Sequence, residues 1–171
     1  SLGTMVANLS AHKAGWDNKW KLFSDWAVKG QAYKEQLLFL VDEDTNAFNK
    51  IIDGFRMPKD TNEEKQARAL AIENATIYAT EIPFKVMETA FQSMEVMQAM
   101  LKDGLQNSLS DAGVGVLCAR TAVIGAYFNV RINAKDIKDR AFAASILAKA
   151  AIIYEQTIAI ENDTIAFIDS K

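Results

Sequence analysis

The chain has 171 residues, half of them hydrophobic and 24% charged, with a formal net charge of −3. That length suits one domain with a real core, and the small negative charge gives no electrostatic reason to bind nucleic acid or an anionic membrane. A single cysteine, Cys118, excludes an internal disulfide and fits a reducing, cytoplasmic setting.

Eight Gly and two Pro leave few interruptions, so long helices are expected. A short helix is predicted from Leu2 to about Ser10, then a loop from His12 to Asn18. Trp16, Trp20 and Trp26 lead into a long helix from about Trp20 to Met57, with Gly30 as a weak point and Pro58 as its stop. Thr61 and Glu64 have capping-box spacing and open a third helix, to about Glu81. Pro83 is expected to break the chain or open a fourth helix, from Phe84 to Lys102. Gly104 to Ser108 reads as a loop, and further helices cover about Asp111 to Arg131 and Asp136 to Asp169. Strand-like alternation is nowhere sustained, no signal peptide is visible, and no apolar run reaches the roughly 18–20 residues of a membrane span. The expected fold is all-α: a multihelical antiparallel bundle with long helices, one domain over 1–171.

One acidic residue stands out. Leu37, Leu40, Val41, Phe48, Ile51, Ile52 and Phe55 form a helical stripe, and at about 100° per residue Asp44 falls near its middle. Asp42 and Glu43 point to the polar side. A carboxylate facing a core must be compensated, as a structural ion pair, or exchange protons as an acid or base. Both readings stay open from periodicity alone.

A second candidate is Tyr127-Phe128-Asn129-Val130-Arg131-Ile132-Asn133-Ala134-Lys135-Asp136. Asn129 and Asn133 are four apart and share a helix face. Amides there can read the edge of a heterocycle, and Arg131 can fork onto a carboxylate. Capping and charge–dipole compensation are the plainer account. Lys59, beside Pro58, is a candidate anion contact.

Other features carry less. His12 is the only histidine, and Leu9 rather than Glu sits three before it, so no metal site is expected. Cys118 reads as a small buried hydrophobe. Gly113-Val114-Gly115 has no preceding strand and no third Gly, which rules out a dinucleotide fingerprint. Met87, Met94, Met97 and Met100 read as core or oligomer contact.

Three segments together resemble a known family. Leu2-Gly3-Thr4-Met5-Val6, Leu40-Val41-Asp42-Glu43-Asp44-Thr45-Asn46-Ala47-Phe48 and Gly125-Ala126-Tyr127-Phe128-Asn129-Val130-Arg131-Ile132-Asn133 are similar to the cyclodeaminase domain of formiminotransferase-cyclodeaminase and to stand-alone methenyltetrahydrofolate cyclohydrolases. Arg56-Met57-Pro58-Lys59 also resembles the family's Arg-Leu-Pro-Lys. The resemblance covers nearly the whole chain. It implies an all-helical homodimer with a folate site between subunits, a tetrahydrofolate derivative as substrate and no tightly bound cofactor. It implies that Asp44 is the acidic catalytic residue, since it matches the second Asp of the family's Val-Asp-x-Asp pattern. Asn129, Asn133 and Asp136 match positions shared across the family, and Arg131 matches many bacterial members. In this setting Tyr127 or Phe128 is expected to stack on the flat pterin, and Lys59 or Arg131 to receive the glutamate tail. The family carries a Pro-Gly-Gly-Gly-Ser motif just before the segment matched by Leu2-Gly3-Thr4-Met5, and the sequence given starts after it, at Ser1.

The implied reaction converts 5-formiminotetrahydrofolate to 5,10-methenyltetrahydrofolate and ammonia, a step of histidine degradation, with a separate glutamate formiminotransferase as an expected partner. Cyclohydrolase activity on the methenyl compound is the alternative. From a different class, a non-catalytic folate-binding or helical interaction module also fits the residues.

Overall fold

The computed structural model describes all residues, Ser1–Lys171. Five α-helices make the fold: α1 (Leu2–Ala11), α2 (Trp20–Arg56), α3 (Asn62–Asp103), α4 (Leu109–Asn133) and α5 (Arg140–Asp169). One-turn 3-10 helices lead into α2 and α4. The all-α expectation therefore holds, and successive long helices run antiparallel.

α3 is the spine. At 42 residues it is about 63 Å long, and α1, α2, α4 and α5 all pack on it. Its start is the expected capping box, in which Thr61 Oγ1 accepts from the Glu64 N–H while Glu64 Oε2 accepts from the Thr61 N–H. Those backbone bonds hold the Glu64 carboxylate below its usual range. The two helices predicted around Pro83 are one, which corrects the sequence reading. Proline removes the N–H that would bond to the Ala79 carbonyl four residues earlier. That carbonyl is taken instead by Nδ2 of Asn133, at 2.7 Å from α4. With the lost bond replaced and Ile82 and Pro83 buried, tertiary contacts carry the helix through.

Close packing by small residues sets the helix spacing. A Cβ on Gly30 would stand 2.5 Å from Thr4 Oγ1, so this glycine admits α1 against α2 rather than weakening the helix. A Cβ on Gly115 would meet Met97 Cγ at 2.7 Å, which explains the Gly-Val-Gly segment as helix packing. The main core joins Val6, Phe23, Met94, Met97, Met100 and Val116, and a second cluster gathers Met87, Val123, Val130 and Ile146. The methionines are thus core, as expected. Ser10 is buried but satisfied twice: its hydroxyl donates to Val6 O and accepts from Leu105 N–H.

The last helix starts at Arg140, four residues later than predicted, because Asp139 caps it and Glu73 on α3 accepts the N–H groups of Lys138 and Asp139. Cys118 is exposed rather than buried. By length and composition, the span Gln106–Asn133 and α5 each contain a window apolar enough to cross a membrane, with only 39% and 22% of those windows buried in the chain. Much apolar surface on these helices therefore lacks cover within a single chain. On α4 it forms a row at helical spacing through Val114, Leu117, Phe128 and Ile132, all exposed.

Candidate functional site

α2 and α4 flank α3 and leave a groove between them with α3 as its floor. One end is a cleft of about 220 Å³ lined by Asp44, Ala47, Phe48, Ile51, Ala79, Asn129 and Asn133. Three residues singled out in distant parts of the sequence thus meet in one place. Further along α2 and α4 lies an apolar cavity of about 420 Å³, walled by Leu37, Leu38, Val41 and Ala122, with Ser1, Tyr33, Lys34, Ser93 and Cys118 as its polar or ionisable lining. The larger volume is therefore beside the carboxylate, not around it.

The stripe argument for Asp44 needs one correction. Leu40 and Ala47 are buried against α3, whereas Val41, Phe48 and Phe55 are 63%, 62% and 56% exposed. The true core face is centred on Leu40 and Ala47, and the apolar stripe extends past it onto the groove wall. Asp44 sits at that boundary and is exposed in the single chain. It makes no hydrogen bond or ion pair with any other side chain. Its neighbour Glu43 is the opposite case. Glu43 accepts from the Tyr78 hydroxyl and from Asn46 Nδ2, and these bonds hold its carboxyl below the usual range. Tyr78 is raised in turn by its bond to Glu43, and Lys50 Nζ lies 3.7 Å from its ring centroid. Of two adjacent carboxylates, one is committed to the α2–α3 contact and one is free in a cleft.

The remaining candidates lie apart from this cleft. Two residues along a helix turn about 200°, so Tyr127 and Arg131 occupy the face of α4 opposite Asn129 and Asn133. Tyr127 packs on Tyr154 of α5 with ring centroids 4.9 Å apart, and the Arg131 guanidinium lies 5.5 Å from the Tyr127 ring centroid. Lys59 is exposed in the α2–α3 connection, beyond the end of α2, and the twelve residues from Asp44 to Arg56 already span about 18 Å. Asp136 is exposed in the turn after α4, its N–H bonded to Asn133 O. Phe128 is exposed on the α4 apolar row.

Sequence reasoning missed a polar cluster at the other end of the groove. Glu95 pairs with Lys29 at 2.7 Å and accepts from the Tyr33 hydroxyl. Burial raises the Glu95 carboxyl, but the bonds from Lys29 and Tyr33 outweigh it and leave it lowered. Burial first, then Glu95, pushes Tyr33 up to about 12. The members come from two helices, so no local spacing announced them. Among the residues of the chain, no group of His, Cys, Asp and Glu is arranged to hold a metal ion.

Known proteins place this architecture. The family model for formiminotransferase-cyclodeaminase matches residues 1–152. A methenyltetrahydrofolate cyclohydrolase from Methylorubrum extorquens is 29% identical over 171 residues, all of this chain and 82% of that protein. The formimidoyltransferase-cyclodeaminase of Mus musculus is 33% identical over 142 residues, and the match spans 83% of this chain but only 26% of that longer protein. The crystal structure of formiminotetrahydrofolate cyclodeaminase from Thermotoga maritima superposes with a TM-score of 0.79 at 19% identity, covering 98% of this chain and 81% of the other.

Proposed function

This chain belongs to the formiminotransferase-cyclodeaminase family, and from that premise we propose that it is a folate one-carbon enzyme that cyclises 5-formiminotetrahydrofolate to 5,10-methenyltetrahydrofolate with release of ammonia. The observation that carries this reading is the cleft that joins Asp44, Asn129 and Asn133. N10 attacks the formimino carbon, the C–N bond to the formimino nitrogen breaks, and ammonia departs. A proton must leave N10 and one must reach the departing nitrogen. A carboxylate without competing partners can take the first and deliver the second, and positioned proton transfer of this kind is worth about 10²–10⁴-fold.

The groove suggests how the rest of the substrate lies. The reacting carbon sits at Asp44, and the aryl portion lies in the apolar cavity. Lys34 is the one cationic side chain that lines the cavity, which favours it over Lys59 and Arg131 as receiver of the glutamate tail. Lys34→Gln should raise KM about three- to tenfold with kcat nearly unchanged, the pattern of lost uniform binding. An unchanged KM would remove Lys34 from the site.

A homodimer is part of the same reading. The chain exposes 9828 Å², whereas a folded monomer of 18.9 kDa exposes about 8,300 Å² by the usual scaling. Exposed large hydrophobics include the α4 row and, on α2 close to Asp44, Leu38, Val41 and Phe48. A second copy seated there would supply the dry surroundings that a single chain leaves open at the carboxylate.

The cyclohydrolase of Methylorubrum extorquens, with 82% of its length covered, supports a second reading. Water would add to the methenyl carbon, with Asp44 as the base that activates it. Purified protein offered each substrate separates the two. Ammonia release from 5-formiminotetrahydrofolate is the expected result; loss of methenyl absorbance without ammonia release would assign the hydrolase instead. A protein inert to both would return the non-catalytic module to the front.

A further inference from the structure

The Asn133 side chain donates to a carbonyl that has lost its helical partner because residue 83 is proline. In an uninterrupted helix the N–H of residue 83 would occupy the Ala79 carbonyl. Proline has no N–H, and Ala79 is buried, so water offers no easy replacement. Asn133 Nδ2 reaches across from the last turn of α4 to take that carbonyl at 2.7 Å. A carbonyl only accepts, so the amide nitrogen must face Ala79. The Asn133 oxygen has no donor elsewhere in the chain and is the edge left for the cleft that it shares with Asp44.

We propose that Pro83 is a positioning residue for the reaction: by freeing the Ala79 carbonyl it fixes the Asn133 amide with its oxygen toward the cleft, as an acceptor for an N–H group of the substrate. The inference rests on the folate reading above and deepens it. The formimino nitrogen carries an N–H before attack and remains a donor as it becomes ammonia. An oxygen acceptor beside the proton-transferring carboxylate orients that nitrogen toward Asp44, where a freely turning amide would offer its NH₂ as often and repel it.

The test uses Pro83→Ala, Asn133→Ala and the double variant of the full chain. In the parent, the side-chain amide of Asn133 should give a dispersed, slowly exchanging ¹⁵N–¹H pair. In Pro83→Ala the new N–H captures the Ala79 carbonyl, and that pair should move to free-amide positions. The same variant should keep or raise its melting temperature while kcat/KM for 5-formiminotetrahydrofolate falls about tenfold, the loss of one hydrogen bond to a polarised group. Asn133→Ala should lower the melting temperature of the parent, where it strands the carbonyl, and leave that of the Pro83→Ala variant unchanged. A merely structural proline would give the stability pattern with kcat/KM at the parent value, and that result overturns the proposal. So does an Asn133 amide already at free positions in the parent. A parent without turnover overturns the folate reading and the substrate half with it, while the amide and melting data still decide the Pro83–Asn133 link.

Discussion

Asp44→Asn should lower kcat about 10²–10⁴-fold and leave the melting temperature where it is. Both halves follow from the same observation. The Asp44 carboxylate is exposed in the single chain and bonded to no other side chain, so its replacement breaks no contact and strands no buried group. Asparagine has nearly the same shape but neither takes nor gives a proton at this step. The contrast with Glu43 provides a control within one helix turn. Glu43→Gln removes the charge that Tyr78 and Asn46 stabilise, and its effect should appear in stability more than in turnover. Rates for Asp44→Asn within a factor of two of the parent, with an intact fold by circular dichroism, would remove this residue from the chemistry.

Phe128→Asp should convert the proposed dimer into monomers at micromolar protein, as read by light scattering. Phe128 is 53% exposed and lies on the apolar row of α4 with Val114, Leu117 and Ile132. In a two-fold interface one substitution acts twice, and each desolvated, unpaired carboxylate costs several kcal/mol. The dissociation constant should therefore rise by at least about a thousandfold, since each 1.4 kcal/mol is tenfold. Turnover should fall with dissociation and return at high protein concentration if the second copy covers the groove. A parent that is already monomeric at this concentration, with full activity, would sink the dimer.

Much of this chain is legible without coordinates. Thr61 and Glu64 announced the start of α3, and the near absence of Gly and Pro announced long helices. The stripe on α2 put Asp44 among apolar residues, and the resemblance at Asp44 and Asn129 led to the right family. The differences are equally specific. Pro83 reads as a break because local rules count the lost N–H, and they cannot count an amide arriving from residue 133. Cys118 reads as buried because its neighbours are apolar, although that face of α4 has nothing packed on it. Tyr127 and Arg131 adjoin Asn129 in sequence, yet the helix turns them to its other side.

Composition, capping spacing and hydrophobic period are local quantities, and they determined the element types, most of the boundaries and the residue types available for proton transfer. Which face of each helix is covered depends on where other helices lie, and that is a non-local property. Only the packing of α2 and α4 along α3 decided that Glu43 is tied down and Asp44 is free, and that residues 44, 129 and 133 share one cleft. It also decided that the carbonyl released by a proline is satisfied from fifty-four residues away.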